Sequence, residues 1–164
     1  MSDFEDANGF VNADGTLPYN SEWVFKVSGS VDLPWNFMFS GYYQYQTGEY
    51  WTPYVRMRDL YYNDRTTVYL TPRGSEQYDN RSVLDLHLQY DLKLGGDLVL
   101  GFFIDSFNTL NSDKVTRVSQ RWGDYYYAYW NHPEESEWAP TDSYETPTRI
   151  QQPRVIRVGA KFSF

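Results

Sequence analysis

The sequence predicts an all-β fold, an antiparallel up-and-down meander of about five strands that forms part of a transmembrane β-barrel. Three observations predict it. Aromatic residues make up 20% of the 164-residue chain, and Tyr, Trp and Phe favour strands. Five segments alternate apolar and polar residues with period two, the mark of a ribbon with one greasy and one wet face. The connections between those segments run short, long, short, long, as in a membrane barrel with tight turns at one rim and long loops at the other.

The first segment, EWVFKVSGSV at 22–31, puts Trp23, Phe25, Val27 and Val31 on one face and Lys26, Ser28 and Ser30 on the other. A short turn at 32–35 contains Pro34. The second segment, 36–50, sets Phe37, Phe39, Tyr43 and Tyr45 against Ser40, Tyr42, Gln44 and Gln46. A long stretch at 51–81, dense in charge and turn residues, reads as a loop. The third segment, 82–94, has the strictest pattern. Leu84, Leu86, Leu88, Tyr90 and Leu92 form an apolar row, and Asp85, His87, Gln89, Asp91 and Lys93 a polar one. After a GGD turn at 95–97, the fourth segment at 98–108 aligns Leu98, Leu100, Phe102 and Ile104. Residues 109–152 read as a second long loop, with strand character resuming through KVTRVSQ at 114–120. The fifth segment, 153–164, carries Ile156, Val158, Ala160, Phe162 and Phe164 on one parity. That ending also suits the last strand of a soluble sandwich. A transmembrane strand needs about 9–11 residues, and this segment supplies them.

Composition narrows the function. The chain has no cysteine, so neither a disulfide framework nor thiol chemistry is expected. His87 and His132 stand apart in sequence, so no metal site and no cofactor is expected. The net charge is -8, and most of it lies in two segments. Residues 1–22 hold five acids and no base, and 120–149 hold six acids and two bases. A nucleic-acid partner would need a coherent patch of the opposite sign. GxSxG, P-loop, zinc and paired glycosidase-carboxylate signatures are all missing, so no enzyme is expected. The first ten residues, MSDFEDANGF, have neither the basic nor the apolar region of a secretory signal. Five strands cannot close a barrel, and open edges are not tolerated in lipid. The expectation is therefore the C-terminal piece of a larger barrel.

Three stretches carry a family resemblance. TPRGSEQYDNRSVLDLHLQYDLKL, LVLGFFIDSFNTLNSDKVTRV and TPTRIQQPRVIRVGAKFSF resemble, in order and spacing, the closing strands of TonB-dependent outer-membrane receptors. The nearest subgroup is the Oar-like one, which carries a carboxypeptidase-regulatory-type domain. The resemblance covers roughly residues 70–120 and 146–164; residues 1–69 match only in general character. It implies a bacterial outer membrane, a barrel of about 22 strands around a plug, and energy delivered through a TonB complex that engages the plug. It further implies uptake of a scarce ligand: a siderophore, an oligosaccharide or a peptide. Neither a plug nor a TonB box stands in these 164 residues.

Candidate sites follow. Phe162 and Phe164 resemble the terminal aromatic signal read by the barrel-assembly machinery, which would take the last strand by edge pairing. The plainer reading is a girdle of aromatics facing outer-membrane lipid. Trp122, Tyr125, Tyr126, Tyr127, Trp130 and Trp138 form an aromatic cluster suited to stacking on a ligand from an extracellular loop, or to extending the girdle. Arg56 and Arg58 suit an anionic ligand, or pairing with loop carboxylates. His87, Asp85 and Asp91 read either as a lumen proton site or, more simply, as a polar inner wall touching a plug. Two alternatives to the receptor segment are a soluble, aromatic-rich β-sandwich that binds carbohydrate and a small complete outer-membrane barrel.

Overall fold

A computed structural model describes residues 10–60, 63–126 and 137–164, the side chains of 58–65 and 126–138 excepted. Its described strands, in chain order, are β1 (Val24–Leu33), β2 (Phe37–Gln46), β3 (Tyr50–Trp51), β4 (Tyr54–Leu60), β5 (Asn63–Tyr69), β6 (Glu76–Gln77), β7 (Arg81–Gly95), β8 (Leu98–Phe107), β9 (Val115–Val118), β10 (Arg121–Tyr126), β11 (Glu137–Pro140), β12 (Pro147–Ile150) and β13 (Val155–Ser163). A single 3₁₀ turn, Pro34–Asn36, is the one helical element among the described residues. The chain divides into two units, one built from Glu22–Thr47, Asn80–Lys114 and Gln151–Phe164, the other from the remainder.

The first unit is one five-stranded antiparallel sheet in the order β1-β2-β7-β8-β13. These are the five segments that the alternation predicts, in meander order. Its register aligns the apolar rows. Leu33, Phe37, Tyr90, Phe102 and Ala160 cross the sheet side by side, and the next row is Val31, Phe39, Leu88, Ile104 and Val158. A third joins Gly29, Gly41, Leu86, Ser106 and Ile156. The opposite face carries Ser30, Ser40, His87, Asp105 and Arg157 in one row.

Two tight turns close one end of the sheet. Trp35 (φ 63°) and Asn36 (φ 60°) take the β1–β2 corner through the left-handed region. Asn accepts that conformation readily; Trp does so rarely, and Trp35 is 82% exposed there. At the β7–β8 corner Gly95 and Gly96 both have positive φ, where glycine carries no steric penalty. The register slips by one residue between Lys93 and Gly95. Both longer excursions leave the sheet at its other end, where Val24, Gln46 and Arg81 are aligned. There Asn108 (φ 47°) turns the chain out of β8. Its backbone N–H donates to Asp85 Oδ1 at 2.8 Å, and its side-chain amide donates to the carbonyls of Ser112 and Gln152.

The apolar face is bare. More than a dozen large apolar side chains lie exposed on it, with Phe25 at 56%, Ile104 at 49% and Val158 at 72%. Trp51 and Val55, which are buried, belong to the other unit.

That second unit lies in the stretches expected to be loops, and it corrects that expectation in part. A four-stranded sheet, β11-β10-β4-β5, pairs β10 with β4 in parallel and the other neighbours antiparallel. Two short ladders, β12–β9 and β3–β6, accompany it. Trp51 stacks on Tyr78 with ring centroids 5.9 Å apart and meets Tyr144 at 6.5 Å. The Tyr78 hydroxyl accepts from Gln120 Nε2 at 3.1 Å. Burial, with the charge of neighbouring Glu145, holds the Tyr144 phenol above its ordinary range.

Candidate functional site: the polar row across the sheet

The meander itself builds a site on its polar face. Because β7 and β8 are in register, His87 lies directly opposite Asp105, and β13 places Arg157 on the other side of the same aspartate. His87 Nδ1 is 2.5 Å from Asp105 Oδ1. Arg157 Nε donates to Asp105 Oδ2 at 2.7 Å, with a terminal guanidinium nitrogen 2.6 Å from the same oxygen. The Asp105 carboxylate is buried at 5% exposure. Burying a charge is costly unless it is paired and hydrogen-bonded, and both conditions are met here.

Aromatic rings hold this network in place. The Arg157 guanidinium lies over Phe103 and Phe107, 5.7 and 5.5 Å from the ring centroids, within cation–π range. The His87 ring stacks on Phe103 at 6.1 Å. Phe103 in turn lies across Gly159, where an added Cβ would meet its Cζ at 2.4 Å. Glycine is needed at 159 so that the phenyl ring can lie down on β13.

Beside this charged half, the same face forms a depression of about 380 Å³. Ser28 and Ser30 of β1, Ser40 of β2 and Asp85 and His87 of β7 line it. The row thus runs from hydroxyls at β1 to an ion network at β13.

The residues singled out in the sequence fall differently. Asp85 and Asp91 are not the partners of His87: Asp85 accepts the Asn108 amide, and Asp91 accepts Gln89 Nε2 at 2.8 Å. Same-strand spacing pointed to those two acids, whereas the partner that matters comes from the next strand. Arg56 pairs in register with Asp124 across β4 and β10, which places a carboxylate beside it. Arg58 lies on β4 and Tyr126 on β10, opposite one another. Trp122, 42% exposed, sits where the β10 register shifts between Arg121 and Gly123. Tyr125 pairs with Trp138 of β11. Tyr127 and Trp130 lie outside the described residues. Phe162 pairs with Leu100. Its ring lies 6.1 Å from that of Phe164, which is 93% exposed. Among the described residues no group of three metal-ligating side chains forms.

No protein family, curated protein or solved structure matches this chain.

Proposed function

We propose that the chain is a section of the wall of an outer-membrane β-barrel, the C-terminal part of a TonB-dependent receptor that takes up a scarce ligand. The bare apolar face carries this reading. A half-exposed Leu, Ile or Phe forfeits about 1 kcal/mol relative to full burial, so a dozen forfeit on the order of 10 kcal/mol. That equals the whole stability of a typical domain, about 5–15 kcal/mol. Such a face needs a cover, and hydrocarbon fits its dimensions. Strands β1 and β8 have ten residues each. At about 3.3 Å per residue and a tilt of about 40°, ten residues span about 25 Å, the height of the lipid-facing band of outer-membrane barrels. In this reading the tight turns face the periplasm, the long excursions face outward, and the polar row faces a wet lumen.

Solubility tests this directly. The purified chain is expected to aggregate in plain buffer and to gain β-structure only where detergent covers its apolar face, followed by circular dichroism and sedimentation. A monomeric, folded chain in buffer, with Leu84, Leu86, Leu88 and Phe162 protected from solvent, would overturn the reading in favour of a soluble sandwich.

The exposed Phe164 at the end of β13 supports a role in assembly, the last strand offering its edge and its alternate side chains to the insertion machinery. Deleting Phe164 in the producing bacterium is expected to lower the heat-modifiable, folded fraction in the outer membrane several-fold. An unchanged folded band would leave Phe164 as a girdle residue only.

A further inference from the structure

We propose that the hydroxyl-lined half of the polar row is a binding subsite for a neutral polyhydroxylated ligand, an oligosaccharide of two or three units. The inference rests on the reading that this face lines a wet lumen, and it names the class of ligand that passes there.

His87 uses Nδ1 on Asp105. Its Nε2 makes no hydrogen bond to a described group and is left for a ligand. Asp85 uses Oδ1 on the Asn108 amide and keeps Oδ2. The ring of His87 is fixed by Phe103 and the carboxylate of Asp85 by the Asn108 corner, so both groups are held in place before a ligand arrives. The hydroxyls of Ser28, Ser30 and Ser40 make no hydrogen bond to any described protein group, and all three line the depression. Each both donates and accepts. A fixed imidazole nitrogen, a fixed carboxylate oxygen and three adaptable hydroxyls match a ligand that presents many hydroxyls of its own, since a hydroxyl can donate or accept. Phe107 also lines the depression.

Charge excludes the alternatives. Arg157 bonds Asp105 through Nε and a terminal nitrogen and does not line the depression, so it offers no anion clamp there. Asp85 would repel an anion. A cation finds Asp105 already neutralised and Asp85 half committed. The volume, about 380 Å³, lies at the small end of the roughly 300–1,000 Å³ of ligand sites. An open depression of that size suits a weak contact, with Kd on the order of 1 mM, that is easily left on a transport path.

The test uses the full chain refolded in a zwitterionic, sugar-free detergent. Maltotriose, cellotriose and xylotriose are titrated against ¹⁵N-labelled protein, with citrate and spermidine as charged comparators. The expected result is saturable shifts of the Ser30, Ser40 and His87 resonances with at least one of the sugars and with neither comparator. The doubly substituted Ser30→Val, Ser40→Val chain, which keeps strand propensity, and separately His87→Leu, are expected to weaken binding about tenfold, the scale of one lost hydrogen bond. Absence of shifts with all three sugars, comparator binding of equal strength, or undiminished affinity in the double variant would each overturn the subsite. Sedimentation of the same samples separates the two readings. A micelle-bound chain that ignores sugars sinks the subsite alone. A chain that is monomeric in buffer yet binds sugar through these residues sinks the barrel and keeps the subsite.

Discussion

In the proposed barrel, replacing Leu88 with arginine is expected to cost about 2–4 kcal/mol of folding free energy in a bilayer, the penalty for a cation at mid-depth on the lipid face. Leu88 is the central residue of β7 and sits in the row Val31, Phe39, Leu88, Ile104, Val158. Its neighbour Gln89 points to the other face, so Gln89→Arg is expected to change stability by no more than about 0.5 kcal/mol. Phe162 lies near the tight-turn end of the same apolar face. There the penalty should decay to about 0–1 kcal/mol, because the headgroup region accepts charge and the arginine stem can snorkel. Urea titration of the complete proposed barrel, carrying each change, in phospholipid vesicles measures all three. The depth profile is what matters. A soluble core or a protein partner against this face would penalise Leu88→Arg too, but would not grade the penalty by height along the strand. Equal costs at 88 and 162 would argue against lipid.

The five strands of the meander were legible because water and apolar surroundings act on alternate residues. Strand β7 is the limiting case, with leucines and polar residues interleaved over its middle. The second segment ran four residues too long for a local reason. At Gly48 the chain passes so close to Tyr78 that a Cβ would meet its carbonyl oxygen at 1.7 Å, and Tyr50 begins a different ladder with β6. Aromatic alternation continues through that break and hides it. Strands β4 and β5 were missed because Arg56, Arg58, Asp64 and Arg65 make the segment look solvated and Pro53 and Pro72 bracket it as a loop. Its buried members, Val55 and Thr66, are too few to outweigh them.

The His87–Asp105 pair was hidden by a single residue of register. A two-residue turn at Gly96 and Asp97 pairs Gly95 with Leu98. Counting back from that pair without a break sets Leu88 opposite Asp105 and His87 opposite Ser106, with every apolar row facing a polar one. The slip between Lys93 and Gly95 restores parity, as a bulge does when one face must stay apolar. The leucine row, read together with the GGD turn, therefore demands a bulge near residue 94, and the bulge alone delivers Asp105 to His87. The arginine at 157, 52 residues further along the chain from Asp105, was beyond any local pattern.

Replacing Asp105 with alanine is expected to destabilise the sheet by about 2–3 kcal/mol, and Arg157→Met by about 1 kcal/mol or less. Asp105 is the shared acceptor, and its loss removes two charge-assisted bonds, each worth about 1.5–3 kcal/mol. The full sum is not reached, because the partners regain water. The His87 and Arg157 side chains are 27% and 62% exposed, whereas that of Asp105 is 8% exposed. Removing the arginine is milder for two reasons. Methionine keeps a long apolar stem against Phe103 and Phe107, and the carboxylate retains His87. An exposed charge contributes little on its own, about 0–1 kcal/mol. The double variant separates these effects. Once Asp105 is gone, the further loss of Arg157 should cost only its stacking, so the measured coupling between the two is expected to be about 0.5–1 kcal/mol. Equal single-variant costs would mean that the arginine–phenyl stack, and not the carboxylate, holds β13 to β8. An Asp105→Ala cost below 0.5 kcal/mol, as expected for an ordinary surface site, would mean the network is too well hydrated to organise the polar face.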